Sequence, residues 1–170
     1  MAKVLFINPV IRADDSPKHV PYGMALLAAL AMKEGHLVNV YDENAWRYGD
    51  DVLRQVIESD DWDVIGTGGI STTHECAKRI CRLSKELRPE ALLVLGGGLL
   101  TSIPREIMTF FPQVDIGVVG EAFLTFNEIL AQVYAKKLKP ETIKGLIFRD
   151  ENRDLVLTPP RELLQDLDSL

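Results

Sequence analysis

Apolar runs of strand length recur along the chain, and each stops at residues that break a strand. Lys3-Val4-Leu5-Phe6-Ile7 ends at Asn8-Pro9, Leu37-Val38-Asn39-Val40-Tyr41 at Asp42, and the run from Asp63 at Gly66-Thr67-Gly68-Gly69. Ala91-Leu92-Leu93-Val94-Leu95 ends at Gly96-Gly97-Gly98, and Asp115-Ile116-Gly117-Val118-Val119 at Gly120-Glu121. Such short, continuous runs read as strands covered on both faces. Helical segments separate them. Met24 to Glu34 is opened by Pro21-Tyr22-Gly23 and stopped by Gly35. A second helix starts at Asp50 or Asp51 and reaches about Ser59. A third, of about four turns, opens with the capping box Thr72-x-x-Glu75 and closes at Arg88-Pro89. A short one runs from Ser102-Ile103-Pro104 to about Phe110. The last is capped by Thr125-x-x-Glu128 and ends near Lys136 to Lys139.

Five strand–helix units in about 140 residues, spaced for right-handed crossovers, predict an α/β protein. The expected architecture is a doubly wound, Rossmann-like or flavodoxin-like sheet of five parallel strands. Its order is 2-1-3-4-5, with the switch point between strands one and three. The tail differs. Ile143 to Arg149 and Leu155 to Thr158 flank Asp150-Glu151-Asn152 and read as a β-hairpin. After Pro159-Pro160 the chain reads as a linker. The division expected is therefore residues 1–140 as the sheet domain and 141–170 as hairpin and linker.

Composition narrows the classes of partner. The 170 residues are 46% hydrophobic, enough for a core without disulfides or structural metal. A net charge of −6 with no basic run argues against nucleic acid and anionic membranes. Cys76 and Cys81 are five apart on one predicted helix, so they face different ways and form neither a redox pair nor half a zinc site. The apolar start is strand-length and followed by Pro9, so no signal peptide is expected. The Met24–Met32 stretch is too short to span a membrane. A cytoplasmic location is expected.

In a sheet of this kind, ligands sit at the carboxyl ends of the strands beside the switch point. That nominates the loops Pro9–Gly23, Gly66–Thr73, Gly96–Ser102 and Gly120–Thr125, each rich in glycine or small hydroxyl residues. Backbone can approach a ligand closely there, and helix amides are at hand for a phosphate. Several ligand classes drop out. Gly66-Thr67-Gly68-Gly69-Ile70-Ser71 lacks the last glycine of GxGxxG and has no acidic ribose partner at a following strand end. No GxxxxGK[ST] occurs. Gly66-Thr67 and Gly120 stand where a phosphorelay receiver would need aspartate and lysine. No Ser-His-Asp or Cys-His arrangement can be drawn. His36 falls on the far side of the sheet, and His74 in a helix's first turn. His19 lies in the loop after the first strand, on the ligand side.

The order and spacing of several pieces resemble one family. They are Asn8-Pro9, Pro21-x-Gly23 with Leu27-Ala28-Ala29, and Gly35-His36-x-Val38-x-Val40-x-Asp42. Asp63-Val64-Ile65-Gly66, Gly96-Gly97-Gly98 with Pro104, and Val119-Gly120-Glu121 with Thr125 follow. Ile143-Lys144-Gly145-Leu146 and Pro160-Arg161-Glu162-Leu163 with Asp166-Leu167-Asp168 close the series. Together they resemble the N-terminal cobalamin-binding domain of cobalamin-dependent radical S-adenosylmethionine enzymes. The resemblance covers nearly the whole chain. It implies cobalamin (vitamin B12) at the carboxyl edge, with the nucleotide tail inserted among the loops after strands three, four and five. Backbone contacts would come from Gly68, Gly69, Gly97, Gly98 and Gly120, hydroxyls from Ser71 and Thr72, and a ribose acceptor from Glu121. The loop from Val10 to Val20 would border the corrin.

The resemblance also implies a following radical domain of the same polypeptide, carrying S-adenosylmethionine and an iron–sulfur cluster on CxxxCxxC. Most such enzymes transfer methyl groups. No CxxxCxxC occurs in this chain, so by itself it is not expected to catalyse. The loop DDSPKHVPYG departs from the DxHxxG of other cobalamin domains. No protein metal ligand is therefore expected, His19 being a secondary candidate for cobalt contact, and the dimethylbenzimidazole base would be displaced without replacement. Two rival readings remain open: a scaffold that binds no cofactor, and a module for another nucleotide-like ligand such as a flavin.

Overall fold

The computed structural model describes residues 1–12, 14 and 20–166. Its strands are β1 (Lys3–Asn8), β2 (Leu37–Asp42), β3 (Val64–Gly68), β4 (Leu92–Gly96), β5 (Ile116–Val118), β6 (Leu146–Arg149) and β7 (Leu155–Leu157). They form one sheet in the order β2-β1-β3-β4-β5-β6-β7. The first five are parallel, while β6 and β7 run antiparallel to their neighbours. The sheet is thus mixed and larger than the five strands expected from sequence. The reason lies in β6. Ile147 packs into the core on one face, Leu146 and Phe148 into the core on the other. A strand apolar on both sides buries both only by joining the sheet.

Seven α-helices cover the described sheet. α1 (Tyr22–Lys33) and α7 (Phe123–Tyr134) lie on one face, over Val4, Phe6, Val64, Val94, Ile116 and Val118. α3 (Asp50–Glu58), α4 (His74–Leu87) and α6 (Pro104–Phe110) cover the other, over Leu5, Ile7, Ile65, Leu93 and Leu95. The alternation along each strand follows directly from the two-residue side-chain period. Two short helices, α2 (Glu43–Trp46) and α5 (Gly98–Ser102), were not legible as helices in the sequence.

Two expected caps do not form. Ser71–Thr73 makes a separate 3-10 turn and α4 starts at His74, with the Thr73 hydroxyl donating to the Ile70 carbonyl at 2.8 Å. Thr125 lies inside α7, wholly buried. Its hydroxyl donates to the Lys144 carbonyl at 3.2 Å and accepts from Arg161 Nε at 2.7 Å. Asp50 is the first residue of α3 rather than its cap, a position where a carboxylate suits the helix dipole.

His36 is structural, as its position implied. Its Nδ1 accepts the Ala2 amide at 3.1 Å, and burial, then the amino-terminal charge, lower its pKa from the ordinary value. A folded-state pKa below the unfolded one means the unfolded chain binds the extra proton first. Stability is therefore expected to fall as pH drops below about 6.5 toward the folded value, and to be flat above it. Comparing thermal midpoints of the wild type and His36→Gln from pH 7.5 to 5.5 checks this. The variant should show the flatter profile.

Candidate functional site

At the carboxyl edge the sheet opens into a cleft of about 380 Å³ between α1 and α7. Register explains it. Phe6, Gly66, Val94 and Ile116 form one row across β1, β3, β4 and β5, on the α1/α7 face. Gly66 and Gly68 are two apart, so both point to that face, while Thr67 between them points away and donates to the Ile7 carbonyl at 2.8 Å. Gly66 leaves room for the Phe6 ring, which a Cβ there would meet at 2.9 Å, and the cleft opens beyond. Phe6, Met24, Leu27, Val94, Val118 and Phe126 wall it, with the rings of Phe6 and Phe126 5.1 Å apart and tilted by 41°.

The glycines at the strand ends do different work from one another. A Cβ on Gly68 would sit 2.5 Å from the Gly96 carbonyl oxygen. One on Gly97, which has φ +82°, would sit 2.7 Å from the oxygen of Gly69. One on Gly69 would meet the Thr73 hydroxyl. Gly68 and Gly97 let the segments after β3 and β4 touch, fastened by the Leu99 amide to the Gly69 carbonyl at 2.8 Å. Gly96 and Gly120 are different: both line the cleft, and a Cβ on either would have no atom within 4 Å.

Among the residues nominated from sequence, the cleft gathers Gly68, Gly69, Gly97, Gly120 and Glu121. Ser71, Thr72 and Gly98 lie outside its lining, in the 3-10 turn and the start of α5. His19 lies outside the described residues, as do residues 13, 15–18 and 167–170. Glu121 is exposed, and its Oε2 accepts the Leu164 amide at 3.1 Å. The C-terminal segment is thereby tied beside the cleft, reinforced by Arg161 Nη2 on Glu128 at 2.7 Å and Lys144 on Glu162 at 2.6 Å.

Gly66 fell in a nominated loop, but the walls Phe6, Val94 and Val118 were read only as strand positions and Met24 and Leu27 only as helix positions, because a pocket wall and a core position are equally apolar. The signal that could have found them is the Gly66-x-Gly68 alternation at the end of a buried strand, which lets a ring and a neighbouring backbone come close on one face. Among the described lining residues, the polar side chains are Asn8, Tyr22, Thr67 and Glu121, which make no acid–base or nucleophilic pair. No group of three or more His, Cys, Asp or Glu that could hold a metal occurs among the described residues. Cys81 is an inert thiol, its pKa pushed up to about 12 by burial. His74 packs edge-on to Phe111, 6.2 Å between centroids. The cleft is lined largely by apolar side chains and glycine backbone.

Fold and cleft together define a ligand-binding α/β domain with its site at the switch edge. Residues 9–130 match the B12 binding domain family, and the chain belongs to it. It is similar to an uncharacterized methyltransferase of Pyrococcus horikoshii, 29% identical over 150 residues, covering 88% of this chain and 32% of that protein. The anaerobic magnesium-protoporphyrin IX monomethyl ester cyclase of Synechocystis is 27% identical, over 98% of this chain and 34% of the cyclase. Among solved structures, the radical S-adenosylmethionine methyltransferase TsrM from Kitasatospora setae, with cobalamin and a [4Fe-4S] cluster bound, shares the fold. Its TM-score is 0.81 at 21% identity, over 98% of this chain and 30% of TsrM. The cobalamin-dependent S-adenosylmethionine radical enzyme OxsB gives 0.79 at 16%, over 96% of this chain and 23% of OxsB. The chain spans about a third of the length of the curated relatives it matches. As in the resemblance read from sequence, these neighbours include cobalamin-dependent radical enzymes.

The residues present fit a corrinoid's nucleotide tail. The cleft is apolar within, two unobstructed glycines border it, and helix α7 starts beside Gly120 and Glu121. Among the described residues no helix is long and apolar enough to cross a membrane.

Proposed function

We propose that this chain is the cobalamin-binding module of a larger radical S-adenosylmethionine enzyme of the methyltransferase type. The observation that carries the reading is the apolar cleft at the switch edge of a B12 binding domain, with Gly96 and Gly120 open to it. When bound, cobalamin supplies a cobalt centre able to carry a methyl group.

The residues of this chain bind and orient. Phe6, Val94, Val118 and Phe126 receive the nucleotide base and exclude water from it. Backbone at Gly68, Gly69, Gly97, Gly98 and Gly120 lies along the tail, and Ser71 and Thr72 offer hydroxyls from the neighbouring turn. Glu121, with Oε2 already engaged, accepts from the ribose through its other oxygen. A base held by these walls would be kept from serving as the cofactor's own lower ligand. In the whole protein, residues 141–170 lead to a radical domain with its iron–sulfur cluster and S-adenosylmethionine. The parallel sheet extended by β6 and β7 is a Rossmann-like frame for this, and a cytoplasmic location agrees with the cofactor set.

Titrating the purified chain with methylcobalamin, followed by its visible spectrum, tests the reading. Saturable binding with a shift to the base-off spectrum is expected. A base-on spectrum at saturation would overturn the tail insertion while keeping the cofactor. No binding by a chain with native circular dichroism would leave a scaffold, and a yellow purified protein would point to flavin.

A further inference from the structure

Resting on the cobalamin reading, we propose that the cleft selects among corrinoids by their nucleotide base. It takes one carrying a methylated benzimidazole in preference to one carrying a purine. What the cleft can and cannot hydrogen-bond sets the preference.

Its walls are hydrocarbon: Phe6, Met24, Leu27, Val94, Val118 and Phe126. Several polar groups that border it are engaged elsewhere, and Tyr22, like Glu121, stands exposed at the rim. Thr67 turns its hydroxyl to the Ile7 carbonyl on the opposite face. Asn8 donates Nδ2 to Asp42 at 2.7 Å. The Gly120 amide donates to the Thr101 hydroxyl at 3.1 Å, and the Gly69 carbonyl accepts from Leu99. Glu121 is exposed at the rim. A dimethylbenzimidazole entering such a space brings two methyl groups and a benzo ring, which gain from burial against Phe6 and Phe126. An adenine brings an exocyclic amine and extra ring nitrogens, which lose water and find no partner on these hydrocarbon walls. Leaving such groups unpaired costs about tenfold to a hundredfold in affinity.

Met24 gives the selection a handle. It sits in the first turn of α1, half-buried, with its side chain on the cleft. Met24→Gln keeps the length and places one donor and one acceptor in the wall.

The test is calorimetric titration of the 170-residue chain with cobalamin and with the corrinoid that differs in carrying adenine, for wild type and Met24→Gln. The expected result is cobalamin binding at least about tenfold tighter in the wild type, and a smaller ratio in the variant. Equal affinity for the two corrinoids would overturn the selection and leave the cobalamin reading standing. A ratio that Met24→Gln does not reduce would overturn its assignment to this wall. Binding of neither by a folded chain would overturn the cobalamin reading, and the selection with it.

Discussion

Gly96→Val is expected to lower cobalamin affinity about tenfold to a hundredfold while leaving the fold in place. Gly96 ends β4, lines the cleft, and would carry a Cβ with no atom within 4 Å. The Cβ has room, and valine suits a strand. What they displace is ligand volume. The neighbouring Gly97→Val is expected to fail for another reason. Its φ of +82° is one that β-branched residues avoid, and the new Cβ would sit 2.7 Å from the Gly69 oxygen. Strain and overlap together should cost about 2–4 kcal/mol of stability. The measurement is a pair of curves for each variant, chemical denaturation and cobalamin titration. Gly96→Val should move only the second, Gly97→Val both. Unchanged cobalamin affinity in a folded Gly96→Val would remove this cleft from the binding site.

The contrast between these two adjacent glycines also marks how far the sequence could be read. Five parallel strands and their order were legible, because β1, β3 and β4 are short, continuously apolar and stopped by residues that end a strand. So was the edge at which the cleft opens. The roles of individual glycines were not, since a glycine that admits a ligand and one that admits another loop look alike in one dimension. Gly68 and Gly97 join loops; Gly96 and Gly120 leave space. The caps misled for a related reason. A threonine three residues before a glutamate marks a helix start, but the same spacing occurs inside helices, and Thr125 is held there by Lys144 and Arg161, both distant in sequence. β6 joined the sheet through long-range pairing with β5, which a turn signal at Asp150 cannot announce.

The largest stability effect is expected away from the cleft, at the turn after β2. Glu43 opens α2 with only 2% of its surface exposed, and Arg79 of α4 bridges it to Asp50. Burial alone would lower the pKa of Arg79, but its bonds to Glu43 and Asp50 outweigh that and leave it raised. Among the described residues, Glu43 Oε2 and the nearby Tyr41 hydroxyl have no hydrogen-bond partner, so the guanidinium is the main compensation for a buried carboxylate. Arg79→Met keeps the aliphatic stem and removes the charge. It should cost about 3–5 kcal/mol, because one partner of a buried pair is left behind. For a chain of this length that lowers the thermal midpoint by roughly 10 °C or more. Adding Glu43→Gln should recover much of the loss, since the uncompensated charge goes with it. Arg54→Ala, which breaks an exposed bond to Glu86, should cost less than about 1 kcal/mol. Denaturation of the three variants separates the cases. If Arg79→Met lost no more than Arg54→Ala, Glu43 would have to reach water by local opening of α2. That opening would loosen the turn holding β2 beside β1, at the same sheet edge as the cleft.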